Sequence, residues 1–247
     1  GRLTDVRILR NSKMDTLALA AREDDTCVLS FRGSKNVENY LEDASFLPFS
    51  PVKDCPDCRV HLGLWGCWHG LQSKVFEALE SLGCGASPLE SGKKALRVTG
   101  HSLGAAMAAM ATFDLLSEGY SVLELYTFGE PRMGNAAWVK IFEGSLATAG
   151  VTYFRVTDYK DPIVHLSPKG VGYLHPGPEV YYSATRLGAY KICAIGEDKA
   201  CSDQWNLAFL AAMSCYHCSY LGLNPCDFGS RTPQCEHLAN DLPQLVV

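Results

Sequence analysis

Several features that would assign this chain of 247 residues to a particular class of protein are missing from its sequence. No apolar run approaches the ~18 residues of a membrane-spanning helix, so we predict no transmembrane segment. Basic residues are not in excess, because 22 Lys and Arg stand against 27 Asp and Glu and the net charge is −5. This balance argues against nucleic acid as a partner and against attachment to acidic lipid through a basic patch. Asn-x-Ser/Thr sites, internal repeats and low-complexity runs are also absent.

The composition that remains is that of a globular protein, with 47% hydrophobic and 20% charged residues. A chain of this length can bury a large core without outside help. No linker rich in Pro, Gly or Ser divides it. We therefore predict a single domain over residues 1–247.

Cysteine, in contrast, is abundant, with eleven residues at spacings that are typical of loops. This usage indicates an oxidising compartment, so we expect a secreted protein or one in the lumen of the secretory pathway. Two Cys-x-x-Cys pairs also occur, but they lie far apart and outside any Cys/His-rich module, so no metal site is expected. Because the count is odd, one thiol is left over, and we predict that Cys27, in an apolar strand, is buried and free. The closely spaced cysteines are Cys55 and Cys58, Cys193 and Cys201, Cys215 and Cys218, and Cys226 and Cys235.

A short apolar run, a tight turn and a helix rich in Ala and Met follow one another around Ser102. The run at residues 95–98 is typical of a buried strand, and the turn has the pattern Gly-x-Ser-x-Gly. This order is that of the nucleophile elbow of α/β-hydrolases, in which the serine stands at the apex of a strained turn. Gly100 and Gly104 suit the turn because side chains there would collide with neighbouring atoms. We therefore predict Ser102 as a nucleophile, with the N-terminus of the next helix directed at a developing oxyanion.

Strand-like and helix-like runs alternate along the rest of the chain, which predicts crossover connections and a mostly parallel sheet. The first two strands, separated by a charged turn, are predicted to form a hairpin, and so are the last two. The predicted strands are 16–21, 26–31, 95–98, 122–128, 151–156, 180–183 and 189–194, and the predicted helices are 36–42, 68–82, 103–117 and 136–149.

A serine nucleophile needs a base to take its proton and an acid to orient that base, and α/β-hydrolases supply them in the chain order serine, acid, histidine. Three acids follow a predicted strand end directly, namely Glu130, Asp158 and Asp161. Among the histidines after the serine, position leaves His175 and His217 as candidates. Position alone does not choose between them.

Five groups of residues carry motifs that occur in a fixed order. They are Phe-Arg-Gly-Ser at 31–34 with Val-Glu-Asn-Tyr at 37–40, Gly-His-Ser-Leu-Gly at 100–104, Tyr-Thr-Phe-Gly-Glu-Pro-Arg-Met-Gly-Asn at 126–135, Asp-Pro-Ile-Val at 161–164, and His-Cys-Ser-Tyr-Leu-Gly at 217–222. This series resembles the filamentous-fungal lipases, often called class 3 lipases. The resemblance implies an α/β-hydrolase fold with a mostly parallel central sheet and helices on both faces. The family's leading helix has no counterpart before the first predicted hairpin, so we expect a domain without it.

The resemblance also implies a role for individual residues. It makes Ser102 the nucleophile, Asp161 the orienting acid and His217 the base. Ser34 matches the family's oxyanion-hole residue, and the backbone N–H of Leu103 is its partner in that hole. Judged from its own surroundings alone, Ser34 is better explained as an ordinary residue of a glycine turn.

Residues 36–42 match the lid of the family, which uncovers an acyl-binding groove at a lipid surface. Val37, Tyr40 and Leu41 are spaced to form one apolar face of a short helix, and the opposite face is polar. On periodicity alone the segment is a surface helix packed on the core. The lid resemblance implies transient contact with a lipid interface.

The sequence thus predicts a serine carboxylic ester hydrolase that acts on acylglycerols or related lipid esters through an acyl-serine intermediate and needs no cofactor. Feruloyl-esterase-like and phospholipase-like enzymes share these motifs and stay open as alternatives, because the lid is polar. A catalytically silent, lipase-like binding protein is the alternative from another class. Such relatives usually lack a triad residue, and here all three are present.

Overall fold

One sheet of eight strands, flanked by helices, organises the computed structural model, which describes residues 2–33, 48–53, 55–85, 94–183, 190–205, 214–221, 223 and 226. The strands are β1 (Leu3–Asn11), β2 (Thr16–Glu23), β3 (Thr26–Phe31), β4 (Pro48–Phe49), β5 (Val60–His61), β6 (Ala95–His101), β7 (Val122–Phe128), β8 (Thr152–Asp158), β9 (Glu179–Tyr182) and β10 (Tyr190–Cys193). The helices are α1 (Leu62–Ser81), α2 (Leu103–Ser117) and α3 (Ala136–Ala149), and short 3₁₀ turns cover Ile163–His165, Lys169–Val171, Ser202–Gln204 and Ser214–Cys218.

The strands of the large sheet are ordered β1-β2-β3-β6-β7-β8-β9-β10. The pairs from β3 to β9 are parallel, and antiparallel hairpins close both edges. This arrangement confirms the predicted α/β-hydrolase sheet. Because the central strands are parallel, their carboxyl ends meet at one edge, where ligands bind in open α/β sheets.

The first strand, β1, belongs to the large sheet but was not indicated by the sequence pattern. It pairs antiparallel with β2 and forms the edge of the sheet. Most of its residues are exposed, and Ile8 keeps 66% of its surface accessible. It therefore lacks the alternation of buried and exposed residues by which a strand is recognised from sequence.

The helix α1 begins at Leu62, earlier than the predicted start at residue 68. The Nδ1 atom of His61 accepts hydrogen bonds from the backbone N–H groups of Gly63 and Leu64, at 3.1 and 3.3 Å. A ring nitrogen here replaces the Ser, Thr, Asp or Asn side chain that usually caps a helix. The start was missed because histidine is not the usual signal.

The core lies between the sheet and the three helices, with α1 packed on α2 and α2 on α3. The helix α2 is buried along almost its whole length, and alanines fill much of it. Small side chains let its backbone approach β3, β6 and β7 closely. The amino end of α2 is thereby held at the carboxyl end of β6.

The prediction for Cys27 was wrong, because its sulfur is bonded to that of Cys84. An apolar strand accommodates a buried disulfide as well as a buried thiol, so the sequence around Cys27 does not distinguish the two. The other described disulfides join Cys55 with Cys58, Cys193 with Cys201, and Cys218 with Cys226. Cys218 is thus bonded to Cys226, although each of them has another cysteine close to it in sequence, Cys215 and Cys235 respectively.

Across the described ranges, no helix combines the length and the apolar character that spanning a membrane would require.

The bond between Cys27 and Cys84 closes the longest of these disulfide loops, with a sequence separation of 57. Loop-closure entropy predicts that Cys27→Ala/Cys84→Ala lowers the free energy of unfolding by about 4 kcal/mol. The matched variant Cys55→Ala/Cys58→Ala opens a loop with a separation of only 3, so its loss should stay below about 2 kcal/mol. Urea unfolding measures both. Equal losses in the two variants would contradict the loop-length argument.

Candidate active site

The strand, tight turn and helix predicted around Ser102 are present at the junction of β6 and α2. Ser102 has φ 60° and ψ −128°, a strained conformation for a residue with a side chain, and it precedes the first residue of α2. A Cβ atom on Gly100 would lie 2.1 Å from the carbonyl oxygen of Gly104, and one on Gly104 would lie 2.2 Å from that of Phe31. Both positions therefore require glycine, as predicted from the motif.

Asp161 and His217 lie together at the same edge of the sheet. Asp161 follows β8, and His217 lies in the turn Ser214–Cys218. The Nδ1 atom of His217 is 2.9 Å from Oδ2 and 3.1 Å from Oδ1 of Asp161. Gly129, with φ +59°, lies against both side chains, and a Cβ atom there would be 2.9 Å from Cε1 of His217. The absence of a side chain at residue 129 is what lets the acid and the histidine meet.

Asp161 is buried but keeps its charge. Burial alone would raise the pKa of its carboxyl, but three groups together lower that pKa below its ordinary value. These are the imidazole of His217, the hydroxyl of Tyr220, which donates to Oδ2 at 2.5 Å, and the N–H of Ile163, which donates to Oδ1 at 2.8 Å. The carboxylate is therefore fixed in orientation and able to hold the imidazole.

Ser102 is connected to this pair through β7. Its backbone N–H donates to the carbonyl of Phe128 at 2.9 Å, and Gly129, the next residue, contacts the ring of His217. The Oγ atom of Ser102 and the Nε2 atom of His217 are both buried, and neither has a hydrogen-bond partner among the residues that the structure describes. Ser102 and His217 thus both lie against the carboxyl end of β7 and the residue that follows it.

His101 packs its ring on that of His217, with the centroids 4.5 Å apart. Burial, and then the proximity of His217, lowers the pKa of His101 to about 3, so its imidazole is neutral. Its Nε2 lies 2.7 Å from the carbonyl oxygen of His217 and, facing an acceptor, donates the hydrogen bond. His101 therefore holds the backbone of His217 without adding a positive charge beside it.

The two other acids that follow strand ends are placed differently. Burial, and then the charge of Asp161, raises the pKa of Asp158 to about 8. Burial raises the pKa of Glu130 to about 7, and its carboxyl accepts from the hydroxyl of Tyr153 at 3.4 Å. Neither carboxyl contacts His217 in the described part of the chain.

His175, the other histidine that position had left open, lies away from this site. The Nδ1 atom of its ring is 3.0 Å from Oε1 of Glu197, and its Nε2 is 3.1 Å from the backbone carbonyl of Glu130. The structure therefore brings Asp161 together with His217 and not with His175.

The remaining predicted site residues differ in how far the structure describes them. Leu103 is the first residue of α2, so its N–H points out of the N-terminus of a helix, where backbone donors have no intrahelical acceptor. Ser34 and the predicted lid, with Val37, Tyr40 and Leu41, lie outside the described residues.

Two residues of the site were given no role from sequence. Tyr220 belongs to the motif that begins at His217, so its fixed spacing was a usable signal for a partner of the acid. His101 stands at the variable position before the serine of the elbow motif, and its contact with His217 depends on the tertiary fold. Within the described ranges, no group of three or more His, Cys, Asp or Glu side chains is placed to hold a metal ion.

Comparison with known proteins matches these features to one family. The sequence profile of the family "Lipase (class 3)" matches residues 28–171. The chain is 36% identical over 157 residues to secreted mono- and diacylglycerol lipase A of Penicillium cyclopium, covering 64% of this chain and 48% of that protein. It is 32% identical over 222 residues to a lipase of Rhizomucor miehei, covering 85% of this chain and 56% of the relative.

The solved structures that resemble the chain include a triacylglycerol lipase whose catalytic centre is a serine protease triad. Its TM-score is 0.74 at 29% identity, and the match covers 90% of this chain and 83% of that one. The chain spans about half the length of the curated relatives it matches. The matched profile covers more than half of the chain, including the elbow and Asp161, so the chain belongs to the class 3 lipase family.

Proposed function

We propose that this chain is a serine hydrolase of acylglycerol esters, in which Ser102 is the nucleophile, His217 the general base and Asp161 the acid that orients the base. One observation carries the proposal: His217 is bonded to a charged, buried Asp161 through Nδ1. The bond leaves Nε2 of the ring for the hydroxyl of the strained elbow serine. Names of the relatives, which include mono- and diacylglycerol lipases, support the substrate class.

The geometry supports a two-step mechanism. His217 takes the proton of Ser102 as the hydroxyl oxygen attacks the ester carbonyl, and the same proton then passes to the departing alcohol. Asp161 holds Nδ1 of His217 and stabilises the positive charge that the ring acquires. Water, activated by the same histidine, releases the fatty acid from Ser102.

The negative charge that develops on the ester oxygen needs donors that are already oriented. The N–H of Leu103 lies at the N-terminus of α2, where the helix dipole adds to its effect. Ser34 remains the predicted second donor. Gly33, which precedes it, lies close to the nucleophile, because a Cβ atom on Gly33 would be 3.2 Å from Cβ of Ser102.

The family resemblance supports contact with a lipid surface through a lid formed by residues 36–42, including Val37, Tyr40 and Leu41. The described disulfides, four in number, and the secreted relatives support an extracellular location. The single large sheet, to which every described helix is connected through one core, supports one domain over residues 1–247.

The decisive test is the initial rate of hydrolysis of a short-chain monoester and of a diacylglycerol, measured from below to above the solubility limit. We expect Ser102→Ala to lower kcat by at least about 10⁴-fold, because the nucleophile is lost. A rise in rate when the lipid phase appears supports the lid. Smooth saturation below the limit would instead indicate an esterase of soluble substrates, and equal inactivity of both proteins would indicate a binding protein.

The hydroxyl of Tyr220 gives a second prediction, because it donates to the charged carboxylate of Asp161. We expect Tyr220→Phe to lower kcat by roughly tenfold, or about 1.4 kcal/mol of barrier, with little change in KM. Tyr190→Phe on the exposed edge of the sheet is the matched control and should retain full activity. An unchanged kcat in Tyr220→Phe would show that Asp161 is oriented without this hydroxyl.

The raised pKa of Asp158 predicts how the free energy of unfolding depends on pH. Its pKa is raised to about 8, so the folded protein retains a proton that an unfolded Asp, with a pKa of about 3.9, has already lost. Asp158 therefore reduces the free energy of unfolding as pH rises from about 4 to about 8. We expect Asp158→Asn to be more stable than the wild type at pH 8 by a margin that shrinks towards pH 4.

Urea unfolding at several pH values measures this margin. The exposed Asp25→Asn is the control and should leave the pH dependence unchanged. Parallel stability curves for Asp158→Asn and the wild type would contradict the prediction.

A further inference from the structure

A second carboxylate, Glu197, is held in place by its own loop. The disulfide between Cys193 and Cys201 closes this loop around Glu197. The neighbouring Gly196 is pressed against His175, because a Cβ atom there would lie 2.1 Å from the carbonyl oxygen of His175. The backbone N–H of His175 also donates to Oε1 of Glu197 at 2.9 Å. The loop is thus fixed at both ends and in its middle.

Both carboxylate oxygens of Glu197 accept hydrogen bonds from the guanidinium of Arg132. The Nε atom of Arg132 donates to Oε1 at 2.8 Å, and Nη2 donates to Oε2 at 3.0 Å. The two side chains are 4% and 17% exposed, so solvent screens the pair little. A planar guanidinium held in this two-pronged way has only one orientation.

That orientation directs the rest of Arg132 at the turn that carries the triad acid. Its Nη1 donates to the carbonyl of His165 at 2.8 Å, and its backbone N–H donates to the carbonyl of Leu166 at 3.2 Å. These two residues end the short turn that starts at Asp161. Asp161 begins it by accepting from the N–H of Ile163.

We infer that Glu197 is a positioning residue for the catalytic acid, acting through Arg132 on the turn of residues 161–166. The inference rests on the proposed function, in which Asp161 must hold His217 within hydrogen-bond distance of the nucleophile. The disulfide closes the loop and so holds Glu197 in place. Glu197 in turn orients the guanidinium of Arg132. Arg132 then holds the far end of the Asp161 turn through the carbonyl groups of His165 and Leu166. Glu197 touches neither the substrate nor the reacting atoms.

The test is Glu197→Gln, which keeps the shape of the side chain but removes its charge and one of its two acceptor oxygens. Small displacements of catalytic groups cost up to about 100-fold in rate. We therefore expect kcat on a soluble monoester to fall about 10- to 100-fold while KM changes less than about twofold. Asp198→Asn makes the same chemical change at the next residue, which does not contact Arg132 in the described structure, and it should leave both constants unchanged.

A merely structural role is separated from positioning by a double-mutant cycle. If Glu197 acts through Asp161, Glu197→Gln should lower the rate of the Asp161→Asn enzyme by less than about twofold, since the acid it positions has already been disabled. The rate at which a fluorophosphonate labels Ser102 is compared among the four proteins, because it can be measured even in slow variants. The final amount of labelled protein counts the folded active sites. If the rate loss of the double variant equals the product of the losses in Glu197→Gln and Asp161→Asn, the inference is overturned.

Failure of this inference is distinguishable from failure of the proposed function. An active wild type that depends on Ser102, together with a Glu197→Gln variant of unchanged kcat, would overturn the positioning role alone. If Glu197→Gln does not fold, Glu197→Asp keeps the charge and shortens the side chain by one methylene. It should lower kcat with KM retained, and a kcat equal to that of the wild type would again overturn the role.

Discussion

The charge on Asp161 is the constraint on which the site depends. A carboxylate removed from water is costly unless other groups compensate it, and Asp161 is 1% exposed. A histidine, a tyrosine hydroxyl and a backbone N–H converge on its two oxygens. Asp158, three residues earlier, shows the alternative, because burial and then the charge of Asp161 raise its pKa to about 8. The arrangement around Asp161 therefore selects which carboxyl stays charged at neutral pH.

Convergence on one carboxylate requires distant segments to meet, and glycine makes the meeting possible. Gly129 lies under the contact of Asp161 with His217, while Gly100 and Gly104 let α2 approach β6 and β3 closely enough to strain Ser102. The disulfide between Cys218 and Cys226 then anchors the turn that carries His217. Close packing at the glycines and the disulfide at Cys218 thus bring together the groups that keep Asp161 charged.

How much of this could be read from the sequence depends on whether the signal is local. The elbow is a local pattern, so its strand, glycines and helix were predicted, and the bounds of β7 and α3 were predicted to the residue. The exposed strand β1 and the histidine cap of α1 lack the usual local signals. Cys27 shows a different limit, because nothing near it in sequence indicates a bond to Cys84.

The residues predicted as acid and base show the same limit at the site itself. Position left three acids and two histidines open, because the contacts that separate them join residues far apart in the chain. The resemblance to a family chose Asp161 and His217, and the structure brings these two side chains together. Tyr220 was in the quoted motif, so its spacing from His217 marked it as a residue of interest, but the group that its hydroxyl contacts is set by the tertiary fold.

The buried ion pairs near the site support geometry more than stability. Arg155 and Glu179 are fully buried and 3.0 Å apart, and Thr157 donates a further bond to the same carboxylate. Burial of such a pair costs nearly as much as its attraction returns, so its net contribution to stability is small. What it does provide is a single orientation for each side chain, since any other arrangement leaves a charge without a partner. The pair of Arg132 with Glu197 has the same character, and it ends at the turn of the residue that must stay charged.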